Sequence, residues 1–160
     1  TGSLGHGLSM ALGMAIAARI QQHKTRCYAL LSDGECNEGS IWEAAMLAGG
    51  QKIHHLTAIV DYNKWQATGR SQEVMALEPL GTKWEAFGWH MQEIDGHDLA
   101  AINGAFTEAR AQINKPSVIV AHTIKGKGVS FMEDDNNWHY RIPNQEELAA
   151  AMAELKEGQL

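Results

Sequence analysis

Residues 26–50 read RCYALLSDGECNEGSIWEAAMLAGG, and this stretch decides the fold. Its first seven residues, 26–32, form a short and nearly continuous apolar run. The run passes straight into Asp33-Gly34-Glu35, and a helical pattern follows over 38–48, ended by Gly49-Gly50. A strand that feeds a helix in this way is the building block of alternating α/β domains. The acidic residue is the oddity. A carboxylate at the end of a buried strand is penalised by desolvation, so it calls for a partner or a metal.

Working outward, LTAIVDYN (56–63) and SVIVAHT (117–123) repeat the apolar pattern, the latter preceded by Pro116. Continuous rather than alternating apolarity predicts central strands of a parallel sheet covered on both faces, with 26–32 among them. GWHMQEID (88–95) alternates and predicts a strand nearer an edge. Residues 5–22 are small and apolar nearly all round, which predicts a helix buried on more than one side. A helix is expected over 98–113 with Asp98 as its cap. Another is expected over 144–157, where Asn144 and Glu147 have the spacing of a capping box. The sum is a doubly wound, mainly parallel α/β domain with helices on both faces of the sheet. Two long stretches, 62–82 and 124–143, read as loops, and loops of that length inside a domain are often functional.

The 160 residues suit one domain, 1–160, and opening on Thr1 without an initiator Met implies an upstream segment. A formal charge of −6 with no basic block argues against nucleic acid or a membrane surface as partner. No stretch has the length of a membrane span. Two cysteines, Cys27 and Cys36, without metal-type pairing fit a reducing compartment such as the cytoplasm.

In open α/β sheets, ligands gather at the carboxyl ends of the strands. Three unusual groups are expected there: Asp33-Gly34, Asp61-Tyr62-Asn63 and Lys125-Gly126-Lys127-Gly128. A carboxylate and a carboxamide oxygen at neighbouring strand ends suit a hard cation such as magnesium or calcium. Magnesium commonly keeps positions for phosphate oxygens, so a phosphorylated ligand is its natural companion. Gly34 and the helix start near Glu38-Gly39 would offer backbone N–H groups to it. Taken singly, Asp33 also reads as a helix cap and Asn63 as a turn residue. His54 and His55 read as surface residues, and Trp42, Met46 and Leu47 as core or interface packing. His97, at a strand end, could approach the site. Glu133-Asp134-Asp135 reads as a solvated loop.

Asp33-Gly34, followed roughly thirty residues later by Asn63, resembles the thiamine-diphosphate motif that begins Gly-Asp-Gly and ends in Asn. The wider text SDGECNEGSIWEAAMLAGGQKIHHLTAIVDYNKWQATG resembles the diphosphate-binding domain of transketolases. TGSLGHGLSMALGMA and HTIKGKGVSFMEDDNNWH resemble the same family, in the same order. The resemblance implies thiamine diphosphate and Mg²⁺ (or Ca²⁺ or Mn²⁺) as cofactors. It implies Asp33, the side chain of Asn63 and the main-chain carbonyl of Trp65 as metal ligands. Gly34 would donate its N–H to the diphosphate, and Gly2 and Leu4 would meet the cofactor's rings. Lys125 and His139 would lie near the diphosphate and the reacting carbons, with His139 steering hydroxyls or moving a proton. Glu38 would contact the catalytic glutamate of a partner active-site half, although an acid is favourable at any helix N-terminus.

Two residues depart from the family pattern. Ser32 stands where the first glycine is usual, and Tyr140 follows His139 where glycine is common. The pyrimidine-binding domain that activates the cofactor is absent from these residues. The implied function is therefore the diphosphate-binding half of a transketolase-type enzyme, a split subunit or part of a longer chain. It would transfer a two-carbon ketol unit between sugar phosphates with a pyrimidine-binding domain or subunit, in a homo- or hetero-oligomer. Deoxyxylulose-phosphate-synthase-like chemistry and a non-catalytic regulatory paralogue are the alternatives.

Overall fold

The computed structural model describes residues 2–157; Thr1 and residues 158–160 lie outside it. The chain runs α1 (Gly7–Ile20), β1 (Cys27–Ser32), α2 (Gly39–Gly50), β2 (Leu56–Tyr62), then a small hairpin β3 (Trp65–Gln66) and β4 (Gly69–Arg70). It continues with α3 (Ser71–Val74), α4 (Leu80–Ala86), β5 (His90–Asp95), α5 (Leu99–Ala111), β6 (Ser117–His122) and α6 (Gln145–Glu157). Four strands form one all-parallel sheet in the order β1-β2-β6-β5. The expected architecture stands, and β5 is the edge strand its alternation foretold.

One face of the sheet carries Ala29, Leu31, Ala58, Val60, Val118 and Val120 into a continuous core with α1, α2 and α4. Trp84 and Trp89 are fully buried there, edge to face at 4.9 Å between ring centroids. Trp42, as expected, packs beside this core, with its indole N–H donated to the Cys36 carbonyl at 2.7 Å. The other face presents Leu30, Ile59, Ile94 and Ile119, and α5 lies over it through Ile102 and Phe106.

Four expectations change. β1 is an edge strand, so its burial alternates, and Leu30 is 73% exposed on the side that was expected to be covered. Similarly, α1 buries only the stripe Leu8, Ala11, Leu12, Ala15 and Ala18, while Met10 and Met14 are 67% and 64% exposed on its far side. α2 does not end before Gly49-Gly50 but runs through them. The reason is packing: a Cβ on Gly49 would overlap the Phe87 carbonyl, so the last turn of α2 needs bare backbone to sit against the α4–β5 turn. Finally, 62–82 is no open loop, because it holds β3, β4, α3 and the start of α4.

Caps at the later helices follow the sequence closely. The Asp98 carboxylate accepts the N–H groups of Ala100 and Ala101. Asn144 Oδ1 accepts from the Glu147 N–H while Glu147 Oε2 accepts from the Asn144 N–H, both at 2.9 Å, a reciprocal capping box. Among the described residues no helix is long and apolar enough to cross a membrane.

Candidate functional site

Parallel pairing sets Ser32 opposite Asp61 and Asp61 opposite Ala121, so β1, β2 and β6 end side by side. Asp33 follows the first of these ends and is fully buried, at 0% exposure. Three neutral donors hold its carboxylate. Oδ1 accepts the Gly34 N–H at 2.8 Å; Oδ2 accepts the Lys64 N–H at 2.8 Å and the Ser71 hydroxyl at 2.7 Å. Burial pushes its pKa upward and outweighs these hydrogen bonds; the neighbouring Asp61 adds to the rise. No basic side chain compensates the charge among the described residues. The Gly34 N–H, expected to be free for a phosphate, is thus already donated to Asp33.

Asn63 closes an Asx turn at the end of β2, its Oδ1 accepting the Trp65 N–H at 2.9 Å. The turn launches the hairpin, which folds back over Gly34. Opposite it, the segment 124–143 brings Lys125 and His139. A cavity of about 290 Å³ opens between these parts, and Leu4, Gly34, Asn63, Trp65, Lys125 and His139 all line it. Six of the residues singled out in the sequence therefore share one cavity, directly above buried Asp33. Lys125 and His139 are not paired with any acid among the described residues. Gly2 and Glu38 lie outside the lining; Glu38 is exposed at the start of α2 and makes no side-chain cap.

The departures from the family pattern are accommodated. Ser32 Oγ accepts the Glu35 N–H at 3.0 Å, stiffening the bend that glycine would otherwise occupy. Tyr140 sits at φ −121°, a conformation open to any residue, just after the single helical turn Asn136–His139.

Some functional neighbours are not legible in the sequence. Glu35 ties the N-terminal turn to the strand end, accepting the Gly5 N–H at 2.9 Å. Ser40 fastens the same turn by donating to the Gly5 carbonyl at 2.7 Å. Ser71 and Gln66 also belong to the site, the first through Asp33 and the second through the cavity wall. His97 does not reach the cavity: its Nε2 accepts the Ile124 N–H at 2.8 Å, bracing the residue before Lys125. It lines a separate cavity with Lys64, Asp95 and Lys127. His54 and His55, half-buried and 3.9 Å apart between ring centroids, precede β2 at the opposite end of the sheet.

The acidic triplet is partly solvated, with Asp134 exposed, yet each of its residues is also engaged in an internal contact. Asp134 makes a bidentate ion pair with Arg70, at 2.7 and 2.5 Å, and accepts the Trp65 indole N–H at 2.8 Å. The Arg70 guanidinium stacks 3.7 Å from the Trp65 ring centroid. The Arg70 hydrogen bonds hold the Asp134 carboxyl down to about 2. Asp135 caps the turn Asn136–His139, and Glu133 accepts the Gly128 N–H. The segment carrying Lys125 and His139 is thereby latched to the hairpin carrying Trp65.

In the turn after Asp33, Cys36 is fully buried beside a separate cavity that it shares with Trp42 and Phe87, and its thiol is pushed up to about 12 by burial, then by Asp33 and Glu35. Cys27 is buried at the opposite end of β1.

Among the described residues no group of three His, Cys, Asp or Glu side chains could hold a metal. The oxygen set of Asp33, Asn63 and the Trp65 carbonyl is of another kind, and it is one that hard cations prefer. It fits such an ion on the structure's own terms: a fully buried carboxylate lacks a counter-charge, and Asp33 Oδ1 and Asn63 Oδ1, with one donor each, retain acceptor capacity.

The sequence matches, over residues 1–156, the family described as transketolase, thiamine diphosphate binding domain. It is 50% identical over 159 residues to the 6-deoxy-6-sulfo-D-fructose transketolase subunit SqwG of Clostridium sp. (strain MSTE9), covering 99% of this chain and 58% of that protein. It is 43% identical to an apulose-4-phosphate transketolase subunit of Phocaeicola vulgatus, covering 98% of this chain and 56% of that one. The chain thus spans somewhat over half the length of these curated relatives. The crystal structure of transketolase from Campylobacter jejuni superposes with a TM-score of 0.92 at 31% identity, covering 98% of this chain and 26% of that one.

Proposed function

Because the chain belongs to the family of transketolase thiamine-diphosphate-binding domains, we propose that it is the cofactor-anchoring half of a transketolase-type transferase. The enzyme would move a two-carbon ketol unit between sugar phosphates. The observation that carries this reading is the single cavity lined by Leu4, Gly34, Asn63, Trp65, Lys125 and His139 above buried Asp33.

Asp33, Asn63 and the Trp65 carbonyl would hold Mg²⁺, which would compensate the buried Asp33 carboxylate. Lys125 attracts the diphosphate as a point charge, and Leu4 borders its ring portion. When bound, thiamine diphosphate supplies a thiazolium carbon that takes up negative charge during ketol transfer. His139, exposed at the cavity rim, orients sugar hydroxyls and holds or gives up a proton at its imidazole. Glu38 faces outward, toward the pyrimidine-binding domain or subunit that completes the site in a dimer of halves. The two cysteines, both free thiols, accord with the cytoplasm.

The names of the two subunit relatives concern sugars bearing a sulfonate or a phosphate. A ketol-transfer assay over ketoses with such anionic groups, with and without the complementary half, tests the reading. Turnover is expected only when both halves and thiamine diphosphate with Mg²⁺ are present. Cofactor binding with no turnover on any ketose would transfer the weight to a regulatory role.

A further inference from the structure

The segment that carries Lys125 leaves the sheet at the end of β6, and a histidine from another turn holds it there. Around this strand end the Gly96 N–H is donated to the His122 carbonyl at 2.8 Å, and the Thr123 N–H to the Tyr62 carbonyl at 3.2 Å. The next N–H along the chain, on Ile124, goes to a side chain: His97 Nε2 accepts it at 2.8 Å. Lys125 follows directly and lines the cofactor cavity. Its carbonyl accepts the Asp134 N–H at 2.8 Å, so this short stretch is tied on both sides.

His97 is itself fixed by the turn between β5 and α5. Its N–H is donated to Asp95 Oδ1 at 2.8 Å, and Asp98 beside it caps α5. Gly96 presses so near the strand end that a Cβ there would stand 2.4 Å from Thr123 Cγ2. The bond to Ile124 also fixes the tautomer. A ring nitrogen that accepts carries no proton, so Nε2 keeps its lone pair and the proton belongs to Nδ1. Protonated His97 would set one N–H against another and lose the bond. The charged and titratable groups around the ring are Asp95 and Asp98 on its own turn, Glu93 on β5 and His122 on β6. Lys64 after β2 and Lys127, with its partner Glu133, complete them.

We propose that His97 is a positioning residue for cofactor binding: by accepting the Ile124 N–H it fixes where segment 124–143 leaves the sheet and holds Lys125 in the cavity. The inference rests on that cavity's being the diphosphate site. It makes cofactor affinity depend on a neutral imidazole that does not line the cavity. Affinity is full where the imidazole is neutral and falls as the pH drops and the ring takes up a proton.

The test uses the full protein that contains this chain, assembled with its complementary half. His97→Gln supplies an acceptor oxygen that does not titrate, at about the reach of Nε2; His97→Leu keeps bulk and removes the acceptor. Binding of thiamine diphosphate with Mg²⁺ is followed by calorimetric titration from about pH 8 to about pH 6. At the upper pH, His97→Leu should bind about three- to tenfold more weakly than the parent, as loss of one hydrogen bond predicts. His97→Gln should bind there as the parent does. Toward the lower pH, the parent should lose affinity relative to His97→Gln; protonation of the ligand or of His122 is common to both and cancels in that ratio. Parental affinity in His97→Leu at the upper pH would overturn the proposal, as would a loss in His97→Gln equal to that in His97→Leu. Parallel pH profiles of parent and His97→Gln would overturn it too, a comparison that holds even where His97→Leu does not fold. If the parent protein itself binds no thiamine diphosphate, the cavity is not the diphosphate site, and that wider reading fails instead.

Discussion

Asp33 is the residue on which the strand end turns, because it is charged, wholly buried and held only by neutral donors. Removing it should do two separable things. Asp33→Ala strands the Gly34 and Lys64 N–H groups and the Ser71 hydroxyl, at a cost of about 1–3 kcal/mol for each donor left unsatisfied. It should also abolish the rise in unfolding temperature produced by thiamine diphosphate with Mg²⁺. Asn63→Ala loses only an Asx-turn bond, so it should fold nearly as well and still bind Mg²⁺–thiamine diphosphate at least about tenfold more weakly. Equal cofactor stabilisation in Asp33→Ala and the parent would refute the metal assignment. Both residues were legible in the sequence because strand ends of α/β sheets collect ligands and an acid there is costly. Ser71 was not. Its hydroxyl reaches Asp33 across 38 positions, and nothing local to Gly69-Arg70-Ser71 announces that contact. Gln66 was equally silent, since an amide in a turn carries no charge pattern.

Elements were legible where they were long. Continuous apolar runs found β2 and β6, and capping residues found the starts of α5 and α6. β1 carries the same kind of run, yet it is an edge strand, because apolarity reports what a strand can bury and not what stands next to it. The hairpin escaped because two residues per strand are too few for any alternation to register. Gly49-Gly50 read as a stop, whereas the structure uses Gly49 for close approach. Gly49→Ala should therefore lower stability by about 3 kcal/mol, as overpacking does, with the loss read from chemical denaturation. A substitution at Gly50, where added bulk meets nothing within 4 Å, should cost far less. The latch makes a different prediction. Asp134 is exposed and Arg70 only half-buried, so Asp134→Ala should scarcely move the global unfolding midpoint. It should instead release the segment 124–143, seen as faster proteolytic cleavage there and weaker thiamine diphosphate binding.

At the scale of the molecule, one sheet face is well filled while Leu30, Met10 and Met14 remain on open surfaces. The cavity has its hairpin wall and its latched segment, while the side proposed to meet the cofactor's rings is lined by Leu4. Thiamine diphosphate with Mg²⁺ should accordingly raise the unfolding temperature modestly in this chain alone and strongly once the complementary half is added. Stabilisation by a ligand grows with its affinity, so scanning calorimetry with and without that half measures the difference. The two cysteines turn the same architecture into a stopwatch. The Cys36 thiol, lifted to about 12 and wholly buried between the Asp33 turn and Trp42, reacts with an alkylating reagent only when the packing around it opens. Cys27, buried at the far end of the same strand, waits for a different opening. The ratio of their labelling rates separates local opening around the turn after Asp33 from unfolding of the sheet. Bound cofactor should slow the Cys36 clock well before it touches that of Cys27.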